Sequence, residues 1–198
     1  ITYGTKDVLF LSFQTGSASY VFDSYLDEIT IALKNGETYV LDLETDDAVT
    51  PGPAPSCITP ATPCVTIPVA ISRNAPAANM RGYSVTFSLS SNLVLCSTPA
   101  ASVAEGSYLS GVSGTNFQVV DNLGGSYTVD CAILGAPCGA TATTGNLFNI
   151  NVKKAPAALD GTGTITVTSV LARDCVNSAI PIAPGAAQQG REWLFGFL

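Results

Sequence analysis

The sequence predicts an all-β protein, and three observations carry the prediction. Thr, Val, Ile, Tyr and Phe recur in short runs with apolar residues at every second position, while the helix-favouring Glu, Lys, Met and Arg are scarce. Gly, Pro and Asn punctuate those runs. The chain is 46% apolar and only 12% charged over 198 residues, which is far from a disordered composition and sufficient for one main core.

Residues 1–47 read as an N-terminal strand and hairpin region. Val8, Leu9, Phe10 and Leu11 with Phe13 form one apolar run, and Tyr20 to Phe22 a second. Asn35-Gly36 then separates two β-rich arms, 28–34 and 37–43, and supplies the two positive-φ residues of a type I′ turn. Such a turn pairs Lys34 with Glu37. It places Ile29, Ile31, Leu33 and Val40 on one face and Ala32, Tyr39, Leu41 and Leu43 on the other. Neither face is polar, so this hairpin requires cover on both sides, from the chain itself or from a neighbour. Residues 48–63 follow, rich in Pro and almost without periodic apolar residues, and are predicted to form a stiff, extended linker.

Residues 64–187 carry the regular alternation. Val65, Ile67, Val69 and Ile71 open it; Tyr83, Val85, Phe87 and Leu89 follow, then Phe117 and Val119, then Tyr127, Val129, Cys131 and Ile133. Phe148, Ile150 and Val152, and finally Ile165 and Val167, continue the series, with turn signals at Asn122-Leu123-Gly124-Gly125 and Asp160-Gly161-Thr162-Gly163. Short half-buried strands at this spacing predict a β-sandwich. Pro68 cannot donate to a ladder, so its strand is expected at an edge or broken there. Residues 188–198 form an apolar tail containing Trp193, Phe195 and Phe197, which is expected to dock as a last strand or in another molecule.

Taken in order, CVTIPVAISR from Cys64, MRGYSVTFSLSSNLVLCS from Met80, EGSYLSG from Glu105, TNFQVVDN from Thr115, GNLFNINV from Gly145 and DGTGTITVTSVLARDCVNSAIPI from Asp160 resemble a cohesin-type domain. The resemblance implies a cohesin-like jelly-roll β-sandwich and a role in extracellular recognition, with the N-terminal hairpin region as an addition. Cys64, Cys96, Cys131, Cys138 and Cys175 depart from the family's usual pattern.

Six cysteines and no histidine point to disulfides in an oxidising compartment rather than to a zinc or haem site, and hence to an extracellular or cell-surface protein. Spacing alone does not select the pairs. The short-loop choices are Cys57 with Cys64 and Cys131 with Cys138, leaving Cys96 with Cys175. Asp42, Glu44, Asp46 and Asp47 lack the spacing of a calcium loop and read as a solvated acidic surface, so neither metal nor cofactor is expected. Asp121-Asn122 and Arg173-Asp174 read as strand-end pairs for turn formation and ion pairing.

The absence of histidine removes the usual Ser-His and Cys-His arrangements, and no constellation of paired carboxylates is visible, so the chain is expected not to be an enzyme. A net charge of −7 with eight basic residues disfavours nucleic acid, and no apolar run reaches the length of a membrane span. What remains is a structural or assembly protein with a protein partner, first of all itself. Val8, Phe10, Phe13, Tyr39, Leu41, Trp193, Phe195 and Phe197 are the candidate contacts through which terminal strands would polymerise into a fibre, filament or layer. The alternatives are a dockerin-type receptor and a glycan-binding or adhesive module, for which Tyr83, Tyr108 and Tyr127 are the candidates to stack on sugar rings.

Overall fold

The computed structural model describes residues 28–32, 38–42, 47–156, 158–159, 161–185 and 188–189. The chain divides into two units, Ile1–Glu44 and Thr45–Leu198. In the first, β1 (Glu28–Ala32) and β2 (Thr38–Asp42) pair antiparallel. The register sets Ile29 opposite Leu41 and Ile31 opposite Tyr39, one residue away from the pairing that a two-residue turn imposes. A slip of one residue exchanges faces. Positions 29, 31, 39 and 41 therefore share one side, and the polar positions 28, 30, 38 and 42 lie on the other with 32 and 40. The register expected from a two-residue turn is corrected, while the side that holds 28, 30, 38 and 42 remains mixed, with Ala32 and Val40 among its polar positions. The Asn35-Gly36 turn lies outside the described residues.

The second unit runs β3 (Ala48–Pro51), β4 (Val65–Ser72), β5 (Met80–Leu89), β6 (Leu93–Leu95), the one-turn helix α1 (Pro99–Ser102), β7 (Val103–Glu105), the one-turn helix α2 (Ser107–Ser110), β8 (Thr115–Leu123), β9 (Ser126–Ile133), β10 (Thr144–Lys154), β11 (Thr164–Asp174), β12 (Ala179–Ile180), β13 (Ala183–Pro184) and β14 (Gln188–Gln189). One sheet has the order β13-β3-β4-β10-β6, with β7 also on β10; the other has the order β12-β11-β5-β9-β8, with β14 also on β11. Except for the parallel pair β13–β3, these pairings are antiparallel.

The alternation read from the sequence places the core. On β4 Val65, Ile67, Val69 and Ile71 are buried, and on β5 Tyr83, Val85, Phe87 and Leu89 are buried. Side chains from the facing sheets meet at Phe148 of β10, whose ring centroid lies 5.9 Å from that of Phe87 and 6.4 Å from that of Tyr83. Tyr83 also donates its hydroxyl proton to the Leu147 carbonyl at 2.8 Å, which satisfies the one polar atom that this ring takes into the core. The two sheets are thus layers around one core, a sandwich as the alternation predicts.

The stretch 48–63 is not a linker. Val49 and Pro51 are buried on β3, which pairs with β4 over Ala48↔Ser72 to Pro51↔Val69, and Ile58 is buried in the core. Five prolines hid a four-residue strand whose apolar positions are too few to show a period. Pro68 explains where that strand ends. Its carbonyl accepts the Gly52 N–H at 2.6 Å, so the side of β4 on which Pro68 has no N–H to give faces β3, and the β3 ladder stops at the next residue, Val69. Towards β10 the ladder runs through, with Pro68 opposite Asn149.

The disulfides also differ from the short-loop choices. Cys64, just before β4, is bonded to Cys96, just after β6, and Cys138, beyond β9, to Cys175, beyond β11. Cys57 is free and exposed, and Cys131 is free and buried. Cys131 cannot bond Cys138 because it occupies a core-facing position of β9 between the buried Val129 and Ile133, while Cys138 lies in the loop outside. Closing loops of 32 and 37 residues, each bridge contributes about 3–4 kcal/mol by the chain-entropy relation.

Candidate functional site

Alternation that buries one side of β5, β8, β9 and β11 turns the other side of the same four strands to solvent. The register aligns these outward positions in rows. Asn116, Ala132, Gly82 and Arg173 form one row, Gln118, Asp130, Ser84 and Leu171 the next, and Val120, Thr128, Thr86 and Ser169 the third. Eight of these twelve are polar, six of them with hydroxyl or amide side chains, and some are tied to one another. The Thr86 and Thr128 hydroxyls lie 2.9 Å apart, and Asn122 Nδ2 donates to Thr128 Oγ1 at 2.8 Å. The face is therefore mostly polar but sparsely charged, with Thr86, Thr128 and Asn122 linked by hydrogen bonds of their own.

At the end of the face where the first row lies, a cleft of about 490 Å³ opens, lined among others by Arg81, Gly82, Asn116, Asp130, Ala132 and Arg173. Its floor is low because two small residues stand side by side there. Gly82 has to be small: a Cβ on it would lie 2.9 Å from the Cys131 carbonyl oxygen and 3.2 Å from the Ala132 Cβ. The far wall is shaped by Asp174, whose Oδ1 accepts the N–H groups of Val176 at 3.0 Å and Ser178 at 2.7 Å and so closes the turn that carries Cys175. Arg173 donates to the Asn177 carbonyl at 3.3 Å and makes no ion pair with Asp174, contrary to the pairing expected of these neighbours.

Beneath the face, Cys131 and Tyr83 share the buried side with Glu105. The Cys131 thiol lies 3.4 Å from Glu105 Oε1, which also accepts the Thr115 hydroxyl. Burial, with the Glu105 carboxylate beside it, pushes the Cys131 thiol up to about 12, and burial raises the Tyr83 phenol well above its ordinary value. A thiol held protonated in this way is a poor nucleophile.

The residues singled out from the sequence fall elsewhere. Tyr83 and Tyr108 are buried and unavailable to stack on sugars, and Tyr127 is half-buried with its ring centroid 5.4 Å from that of Phe87. Asp47 is no solvated surface acid. Its Oδ2 lies 3.5 Å from Nε of Arg73, whose buried guanidinium also donates to the Tyr108 hydroxyl at 3.1 Å and to the Ala78 carbonyl at 2.8 Å. Tyr39 and Leu41 lie on β2, opposite Ile31 and Ile29. Val8, Phe10, Phe13, Glu44, Asp46, Trp193, Phe195 and Phe197 lie outside the described residues. No helix among the described residues is long and apolar enough to cross a membrane, and none of their acidic and cysteine side chains form a group of three that could hold a metal ion. Sequence reasoning missed the polar face because it used alternation to find the core and left the outward positions as generic surface. The available signal was their chemistry, since half of the outward positions on these four long strands are Ser, Thr, Asn or Gln and none is Lys or Glu.

No family model and no curated protein matches the sequence. Solved structures do match, and they define the class of fold: the sandwich is cohesin-like. The second type II cohesin module of an adaptor scaffoldin of Acetivibrio cellulolyticus shares 13% identity at a TM-score of 0.55, covering 73% of this chain and 91% of its own. The sixth cohesin of scaffoldin B of the same organism, solved in complex with a Cel5 dockerin, shares 17% at 0.54, covering 74% and 100%. A cohesin module from a family 33 glycoside hydrolase of Clostridium perfringens shares 9% at 0.53, covering 75% and 97%.

Proposed function

We propose that this chain is a non-catalytic protein-recognition module working outside the reducing cytoplasm, and that a partner protein sits on the outward face of β8, β9, β5 and β11. The observation that carries the reading is the face itself: four strands wide, mostly polar and ending in a cleft. A surface of that breadth suits a protein better than a small molecule, whose sites enclose their ligand. The likeness to a cohesin solved with its dockerin supports a protein partner, and two disulfides with no histidine support an extracellular setting. Panning a display library of genomic fragments from the source organism against the wild-type chain and against Thr86→Arg tests it. The expected result is a set of fragments retained by the wild type and lost on the variant; fragments held equally by both, or none at all, would overturn the assignment.

Self-assembly through the terminal strands is a second reading, favoured by the way β13 and β14 join the sheets as two-residue additions, β13 on β3 and β14 on β11. Sites that accept short strands of the same chain are places where a strand from a neighbour can add. Light scattering on the chain with and without residues 190–198 tests this reading. Large species only when the tail is present support it, and the same mass for both contradicts it.

A further inference from the structure

The cleft holds two guanidinium groups that no carboxylate of the described residues pairs with. Arg81 and Arg173 come from neighbouring strands at the same end of the face, where Arg173 lies opposite Gly82. Arg81 Nε donates only to the Ile133 carbonyl at 3.4 Å, and Arg173 Nη1 only to the Asn177 carbonyl at 3.3 Å. Among the described residues, neither has a carboxylate oxygen within 4.0 Å. A guanidinium carries five N–H donors, so most of those in the cleft are left for an incoming group. The third arginine among the described residues, Arg73, shows the contrast: it is buried, paired with Asp47 and satisfied by two further partners within 3.1 Å.

The geometry of the floor completes the seat. Gly82 and Ala132 lie side by side between Arg173 and Asn116, so a group entering from solvent descends between a guanidinium on one side and an amide on the other. The two acids of the cleft do not occupy it. Asp174 spends its Oδ1 on the turn to Ser178, and Asp130 stands one row away, opposite Ser84 and Gln118. Arg81 and Arg173 are balanced in formal charge by Asp130 and Asp174, so what the cleft offers an anion is not net charge but guanidinium donors that no carboxylate of the described residues engages.

We infer that this end of the face takes an acidic segment of the partner protein, with carboxylates of consecutive or alternate Asp or Glu residues bonded to Arg81 and Arg173 above the Gly82–Ala132 floor. The inference rests on the recognition role proposed above and adds the chemistry of the partner. Guanidinium suits this task because its planar fork bonds a carboxylate through two parallel N–H···O contacts.

The test is a titration of isotope-labelled chain, followed by amide NMR shifts at constant ionic strength, with hexaglutamate, hexalysine and a neutral Gly-Ser hexapeptide. Hexaglutamate alone should shift the amides of Gly82, Ala132, Asn116 and Arg173, and the doubly substituted Arg81→Gln, Arg173→Gln chain should bind it roughly tenfold more weakly or worse. Both residues reach solvent, so the variant is expected to keep its fold, which its amide spectrum reports in the same experiment. Shifts that are absent, scattered over other surfaces, or unchanged in the double variant overturn the inference. The recognition role is judged separately by the display selection: fragments dependent on Thr86 but poor in Asp and Glu would leave that role standing and remove the acidic partner.

Discussion

Arg73 and Cys131 show what a single buried polar group requires of its surroundings. The Arg73 guanidinium is tolerated because Asp47, Tyr108 and the Ala78 carbonyl satisfy it, and Asp47 in turn accepts the Asn74 N–H at 2.7 Å. Replacing it as Arg73→Ala leaves these partners unmatched and is expected to cost about 3–5 kcal/mol in urea unfolding; a loss below about 1 kcal/mol, the range of exposed pairs, would contradict that account. For Cys131 the consequence is pH dependence. In the unfolded chain a thiol ionises near its ordinary value of about 8.5, whereas in the fold it keeps its proton up to about 12. The folded value is the raised one, so the stability it gives is intact below the unfolded value and is lost as pH climbs towards the folded one. In a Cys57→Ser background, unfolding free energy should fall between about pH 9 and 11, less steeply after Cys131→Ala, with the raised phenols of Tyr83 and Tyr127 contributing to the remainder. At pH 8 the native wild-type chain should present one thiol to a disulfide reagent, Cys57, and a second only after denaturation. Two fast thiols would place Cys131 outside the core.

Elements show how far the alternation can be read. Long strands such as β4, β5, β9 and β10 were legible because each has three or four inward positions, enough to set a period of two. β3 was not, because two inward residues among prolines define no period, and Ile58 reaches the core from irregular chain. Register was legible only where a turn fixes it. At the β8–β9 turn, Leu123 pairs with Ser126 across Gly124 and Gly125, whose φ values of 64° and 80° match the two-residue turn that the glycines announce. Leu123 itself sits at φ 69°, a left-handed conformation unfavourable for its side chain, which is 76% exposed and gains little from burial. Leu123→Asn should therefore raise stability by about 0.5–1 kcal/mol, read as a higher urea midpoint at unchanged slope. A lower midpoint would mean that the leucine contributes contacts that outweigh the strain. The disulfides were illegible for a related reason. Pairing follows which strand ends meet in space: Val65 and Leu95 both pair with Val152 of β10, so Cys64 and Cys96 lie level at the same end of the sheet, a register that spacing along the chain does not reveal.

At the scale of the whole molecule, the fold was accessible from sequence because a sandwich is specified by many redundant inward positions. The candidate site was not, because it consists of outward positions from four strands that come together only through the strand order β11-β5-β9-β8. The same order makes the face continuous, so a partner there would cover all four strands at once and would protect their backbone along that side, whereas a partner adding to the sheet margins would protect β11 or β3 alone. Hydrogen exchange on the chain bound to a fragment recovered by the display selection separates these cases. The account predicts slowed exchange shared by β8, β9, β5 and β11 together with the loop carrying Asn177. Protection confined to β3, β13 and β14, with the four-strand face exchanging as in the free chain, would contradict it.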